Sequence, residues 1–301
     1  MTLRIGQTRV GAAWVGEGWL GDVTDLLDRN PSGLDLVVAR HMSPGATAGT
    51  AQAGLGWVDE TGGAELSLPG LILSRTGQAP KPVKGTPRWT AAVLGTAEAL
   101  LTGGRPTVAA VHERTGLSTG ASTNALATLT ELGHLRASSS RGRNSAREIV
   151  DARALLQAYA TAATQQPVRP SIRVGVVGDL MAELEALGKQ WDALNVTWSL
   201  TGVAGAALLA PYLAQVTSAD VLVDASTPAE LQALARRSGL QVLDGGRVTL
   251  RPFPTAVSRR LSTVIGDTRV APWPRIFADL RTTGVRGEEA AEHLREVMMR
   301  G

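Results

Sequence analysis

Residues Thr107–Gly133 read TVAAVHERTGLSTGASTNALATLTELG. Thr107 and Ser118 are helix-capping residue types, each placed just ahead of a run with apolar residues at helical spacing. Gly116 and Gly133 supply the stops. The stretch therefore predicts a short helix, a tight turn through Leu117, and a second helix from Thr119. Two helices joined this closely make a helix-turn-helix. On the second helix, Ala125, Leu126, Leu129 and Leu132 form one apolar stripe that must face a core. The opposite side shows Thr119, Gly120, Thr123, Asn124 and Thr128, with Ser122 at the border.

Upstream, RWTAAVLGTAEALLTG predicts one more helix, begun by Thr86-Pro87 and ended by Gly103-Gly104. Downstream, His134–Ser138 and Arg147–Val150 read as two short extended pieces around the tip SSSRGRNSA at 138–146. Helix, short helix, turn, helix and a two-stranded ribbon together are a winged helix-turn-helix. A solvated helix face usually carries Glu and Lys. A face of Ser, Thr and Asn instead suits close approach to DNA, where hydroxyls and amides bond phosphates and base edges. A ribbon tip along the backbone or in the minor groove needs cations and small residues. The candidate DNA-contacting residues are thus Thr107, Ser118, Thr119, Ser122, Thr123 and Asn124 from the helices. The wing adds Ser139, Arg141, Arg143, Asn144 and Arg147.

Charge is distributed to match. Residues 1–80 carry 5 basic and 8 acidic side chains, net −3, while 81–160 carry 10 and 5, net +5. Residues 161–301 carry 15 and 14, net +1, so the three sum to the chain's +3. The whole basic excess lies in the middle, which points to an anionic partner there.

Two stretches rich in Pro, Gly and Gln, Thr76–Pro87 and Thr164–Pro170, divide the chain into 1–78, 86–163 and 171–301. The first part predicts a small α/β domain. GDVTDLLDR is amphipathic, LDLVVAR a buried strand, and SPGATAGTAQAG a helix capped by Ser43 with Pro44 at its first position. LGWVDE, Thr-Gly-Gly and AELSL read as a hairpin, and LPGLILS as one more strand. The last part alternates strand-like runs (SIRVGVVGDL, VTWSLTG, DVLVDA, QVLDG, RVTLRPF) with helical ones. Among the latter, Thr227 and Glu230 form a capping box, and Gly287 lies just before a final helix. The fold class expected is mixed α/β.

Several classes are disfavoured. There is no cysteine, and the four histidines make no ligand spacing, so no metal is expected. No apolar run approaches about 18 residues, and the start MTLRIGQTRVG lacks an apolar signal region, so a cytoplasmic, nucleoid-associated location is expected. Gly175-Val-Val-Gly178 is not GxGxxG, and no GxxxxGK[ST] occurs. Asp220 and Asp224 share a strand, but no Gly-Ser pair stands upstream, so they read as strand-end charges. No catalytic residue and no cofactor are expected.

The segments after residue 86 resemble AbiEi-type proteins, antitoxin-like transcriptional regulators of type IV toxin–antitoxin systems. The resemblance rests on the winged helix, on Trp198-Ser-Leu-Thr-Gly202 leading to Ala206-Ala207, on Asp220–Asp224, and on Gly245-Gly-Arg-Val248. Its most specific part is Ala278-Asp-Leu280 followed by Val285-Arg-Gly-Glu-Glu-Ala-Ala291. It implies promoter binding through the winged helix and a C-terminal domain used for antitoxin action or assembly. Double-stranded DNA and a second copy in a homodimer are the expected partners, with a cognate toxin protein as one the resemblance allows. Within the last motif, Arg286 is expected to pair with Asp279.

GLDLVVARHMSP and GLGWVDETGGAEL resemble the core of PD-(D/E)xK nucleases in a degenerate form. The position of the metal-binding motif reads Val38-Ala39-Arg40, no lysine occurs in residues 1–80, and only Asp35, Asp59 and Glu60 could gather. Two other readings stay open: a nuclease or repair factor docked by the winged helix, and a partner-binding antitoxin without a regulatory role.

Overall fold

The computed structural model describes residues 1–5, 8–29, 31–68, 71–78, 88–137 and 147–300. It is a mixed α/β protein whose chain divides into two compact units. One comprises Met1–Thr86 with Thr283–Glu292, the other Pro87–Thr282 with His293–Gly301. The winged-helix segment and the α/β segment that follows it thus share one unit.

The first unit holds a sheet of six strands in chain order: β1 (Thr2–Ile5), β2 (Thr8–Trp14), β3 (Leu36–Ala39), β4 (Gly56–Asp59), β5 (Ala64–Leu68) and β6 (Leu71–Arg75). The three middle strands run parallel and the outer ones antiparallel. Helices α1 (Leu20–Asp28) and α2 (Pro44–Gln52) make the two crossovers and pack on each other. Alternation along the strands splits the apolar residues between two clusters. Val37 and Ala39 meet Val23 of α1 and Ala46 of α2. Val10, Ala12, Leu36 and Leu66 form the other cluster. Ser43 caps α2 as expected, accepting from the Ala46 amide at 3.1 Å.

The carboxylates of this unit are engaged locally. Asp35 accepts from the Gly11 amide at 2.8 Å. Buried Asp59 accepts from the amides of Met42, Thr61 and Gly63 and from the Thr61 hydroxyl. Burial pushes its carboxyl up, but these bonds and nearby His41 outweigh it and hold it below the usual carboxylate range. Exposed Glu60 lies 3.9 Å from Arg40. Among the described residues no three His, Asp or Glu side chains come together to hold a metal.

The second unit opens with α3 (Ala91–Leu101), α4 (Val108–Thr115), α5 (Thr119–Glu131), the ribbon β7 (Leu135–Ala137) and β8 (Arg147–Ile149), and α6 (Ala152–Thr164). The cap of α3 is Thr90, not Thr86. A second six-stranded sheet follows, ordered β13-β14-β10-β11-β12-β9. Its strands are β9 (Ile172–Val174), β10 (Trp198–Thr201), β11 (Ala219–Val223), β12 (Val248–Pro252), β13 (Thr263–Ile265) and β14 (Thr268–Val270). QVLDG makes only a single bridge, Val242 to Val174, rather than a strand.

The helices of this part are α7 (Leu180–Ala193), α8 (Gly202–Leu209), α9 (Pro228–Arg237), α10 (Ala256–Arg260), α11 (Trp273–Leu280) and the end of α12 (Val285–Arg300), whose residues up to Glu292 belong to the first unit. The last begins before Gly287 rather than after it. Trp198 and Leu200 of β10 point into a core with Trp191 and Leu184 of α7 and Leu231 of α9. Gly188 permits this approach, because a Cβ there would lie 2.3 Å from the Trp198 ring. Their alternates face the other way, and Thr201 meets Asp279 of α11, a helix whose eight residues are all buried. No helix among the described residues is long and apolar enough to cross a membrane.

Candidate nucleic-acid interface

The helix-turn-helix is built by its own short-range chemistry. Thr107 caps α4 by accepting from the Ala110 amide, and Ser118 caps α5 by accepting from Ala121 at 3.2 Å. Between them Gly116 takes φ of +72°, the left-handed conformation glycine adopts without a Cβ penalty. The Thr115 hydroxyl donates back to the Val111 carbonyl and accepts from the Leu117 amide, and His112 Nδ1 donates to the Leu117 carbonyl. The turn is thus held from both sides. Val111, Ala125, Leu126, Leu129 and Leu135 are buried beneath it.

The outward face of α5 is uncharged. Ser118, Thr119, Gly120, Thr123 and Asn124 are exposed, and Thr128 is half-buried. The Thr123 hydroxyl donates to the Thr119 carbonyl at 2.9 Å, which leaves its oxygen able to accept. Thr107 is half-buried, and a capping hydroxyl still carries its own O–H for a phosphate.

Ser122 departs from expectation. It is fully buried, on the same side as Ala125 and Leu126, and so is removed from any groove-facing surface. The signal was in the spacing: 122, 125, 126 and 129 are one helical stripe.

The ribbon pairs Leu135 with Ile149, Arg136 with Glu148 and Ala137 with Arg147. Arg136 and Glu148 form an exposed ion pair at 3.3 Å. Half-buried Arg147 opens β8, and its amide donates to the Pro106 carbonyl, tying the ribbon to the start of α4. Ser139, Arg141, Arg143 and Asn144 lie outside the described residues.

The helices beneath this surface hold groups that the sequence did not single out. Glu98 of α3 is fully buried. Its Oε1 accepts from the Tyr159 hydroxyl of α6 at 2.5 Å, and both oxygens accept from Ser258 of α10 at 2.8 Å. Burial pushes its carboxyl up to about 7, against the pull of these hydroxyls and of Arg275. The signal was a lone carboxylate inside the apolar run AAVLGTAEALL.

A second buried carboxylate, Asp279, has different company. Arg275 pairs with it one turn away on α11, Arg251 of β12 reaches it at 2.7 Å, and Thr201 donates at 2.6 Å. Burial would raise its carboxyl, but the two guanidiniums hold it well below the usual range. Arg275 and Arg251, not Arg286, are the partners of Asp279, and Arg286 is exposed. Asp220 and Asp224, the strand-end carboxylates, each face an arginine: Arg251 at 3.8 Å and Arg259 at 2.8 Å.

Comparison with protein-family models, curated proteins and solved structures finds no match to this chain.

Proposed function

We propose that this protein binds double-stranded DNA sequence-specifically through the α4–α5 helix-turn-helix and its ribbon, as a transcriptional regulator of antitoxin-like ancestry that performs no catalysis of its own. The observation that carries the reading is the exposed, uncharged face of Ser118, Thr119, Gly120, Thr123 and Asn124 at the start of α5. It sits in the chain segment that holds the entire basic excess. Thr119, Thr123 and Asn124 read base edges, while Ser118, Thr107, Arg147 and the wing arginines Arg141 and Arg143 take phosphates or the minor groove. Action as a homodimer, a toxin protein as further partner, and a nucleoid-associated cytoplasmic location belong to the same reading.

A gel shift with the DNA upstream of the protein's own gene, with and without Mg²⁺, tests it. Retarded, uncleaved DNA is expected in both arms. Cleavage dependent on Mg²⁺ favours a nuclease, and no shift at low salt removes the reading. Asn124→Ala is expected to lower the preference for that DNA over random duplex by about 1–3 kcal/mol, the worth of a bidentate base contact.

A further inference from the structure

Helix α10 is five residues long, and its two ends do different work. At its first turn, Ser258 donates to both oxygens of Glu98, and Thr255 caps the helix by accepting from the Ser258 amide at 2.9 Å. At its last residue, Arg260 Nε donates to the Arg114 carbonyl and Nη2 to the Glu113 carbonyl, both at 3.1 Å. Those carbonyls lie in the last turn of α4, where the helix supplies no donor of its own, and a cation is favoured there. Gly116 and Leu117 come next, then α5. Between these ends Val257 packs on α3 so closely that a Cβ on Gly95 would lie 2.6 Å from it. One short helix therefore joins the buried carboxylate of α3 to the end of α4 that aims α5.

We infer that α10 is a strut that sets the angle of the DNA-reading helix, with Arg260 as a positioning residue and Glu98 as its proton-sensitive anchor. The inference rests on the DNA-binding reading above. The groups that act on Glu98 come from three helices. Tyr159 on α6 and Ser258 on α10 donate to it, and α11 presents Arg275 and Asp279. The charged side chains of α4 and α5, His112, Glu113, Arg114 and Glu131, are exposed. Arg275 already pairs with Asp279. An ionised Glu98 is thus a dry anion met mainly by hydroxyls, whereas a neutral Glu98 fits the same place once Ser258 accepts its O–H and donates instead to Thr255 Oγ1 at 2.8 Å. Since its titration falls near neutral pH, the joint is tight in mild acid and loosens as pH rises. When the α10 anchor yields, Arg260 loses its purchase on α4.

Amide hydrogen exchange of the full chain at pH 6 and pH 8, corrected for intrinsic rates, reads the joint directly. Protection over residues 108–131 is expected to drop about tenfold at pH 8, the equivalent of one pKa unit of coupling. Glu98→Gln, neutral and of the same shape, is expected to abolish the drop, which separates Glu98 from the nearby histidines. Protection that is equal at the two pH values in the unmodified protein, or a drop that persists in Glu98→Gln, overturns the inference. Binding to a mixed-sequence duplex then tests Arg260. Arg260→Gln is expected to weaken it severalfold without changing the slope of log affinity against log salt. A slope reduced by about 0.9 means that Arg260 holds a phosphate itself, and the positioning role is wrong. If no duplex binds while exchange behaves as expected, the strut stands and the DNA-binding reading fails.

Discussion

Glu98 and Asp279 are both carboxylates, both buried, in one unit of the protein, and they end with opposite titration behaviour. Asp279 receives two guanidiniums and a hydroxyl, and stays ionised. Glu98 receives two hydroxyls, with the nearest guanidinium already engaged, and is pushed up to about 7. Burial is common to both, so the partner decides: full opposite charge repays desolvation, and neutral donors repay only part of it. The first arrangement makes a fixed structural rivet, and the second a group that changes state near neutral pH.

Removing the rivet is the harshest test of that contrast. Asp279→Ala leaves buried Arg275 without its carboxylate and Arg251 with only Asp220, at 3.8 Å. Breaking a buried pair from one side costs about 3–5 kcal/mol, a large part of a domain's whole stability. Urea unfolding should show the loss as a midpoint shift. A change below about 1 kcal/mol would mean that water or other groups already serve those arginines.

The pH dependence of the second carboxylate has the opposite sign. The Glu98 pKa rises from an ordinary 4.5 to about 7 in the fold. Its contribution to stability is therefore complete below pH 4.5 and is lost as pH rises through 7, a loss of about 3 kcal/mol. Asp279, held low, contributes stability above the usual carboxylate range that disappears only in strong acid. Glu98→Gln should match the unmodified protein near pH 4.5 and exceed it at pH 8 by up to about 3 kcal/mol. Parallel urea midpoints for the two proteins at both pH values would contradict the assignment.

Tyr159→Phe sharpens the same point with a smaller effect. It deletes one of the donors that Glu98 depends on and nothing else of similar size. A hydrogen bond to a charged acceptor contributes about 1.5–3 kcal/mol, and to a neutral one about 1. The variant should therefore lose about twice as much stability at pH 8 as at pH 5. Equal losses at both would show that Glu98 does not ionise in that window.

What could be read from the sequence follows the range of the interactions. Caps are local, so Ser43 with Pro44, Thr107, Ser118 and the Thr227–Glu230 box are all where their spacing puts them. The Asp59–Gly63 hairpin turn is equally local. Strands β1 and β2 do alternate, with Val10 and Ala12 buried two apart, but their Thr, Arg and Gly content masks the signal and neither is expected from the sequence, nor is α6, whose Asp151 cap follows the wing directly. The Asp279 cluster draws on Thr201 and Arg251, remote in sequence, and no spacing rule links them. Only Arg275, four residues ahead of Asp279 on one helix, follows a local spacing rule, and Arg286, seven residues on, is not a partner. The candidate interface divides the same way: the exposed face of α5 was legible from period alone, and the strut beneath it, made by residues 98, 159, 258 and 260, was not.

Ser122 extends the comparison to a buried hydroxyl that finds no hydrogen-bond partner among the described residues, while its neighbours Thr123 and Asn124 are exposed. A buried unsatisfied hydroxyl costs stability, and alanine is the better helix former by about 0.5 kcal/mol. Ser122→Ala should be neutral or stabilising by up to about 1 kcal/mol, with DNA binding unchanged. Thr123→Ala and Asn124→Ala, one step round the helix, should leave stability within about 0.5 kcal/mol and weaken binding. A Ser122→Ala protein destabilised by more than about 1 kcal/mol would show that the hydroxyl bonds back to the carbonyl four residues earlier, at Ser118. It would then be a working part of the α5 cap rather than an unpaid burial. Thermal and urea unfolding of the three alanine variants, set beside their gel shifts, distinguishes these outcomes residue by residue.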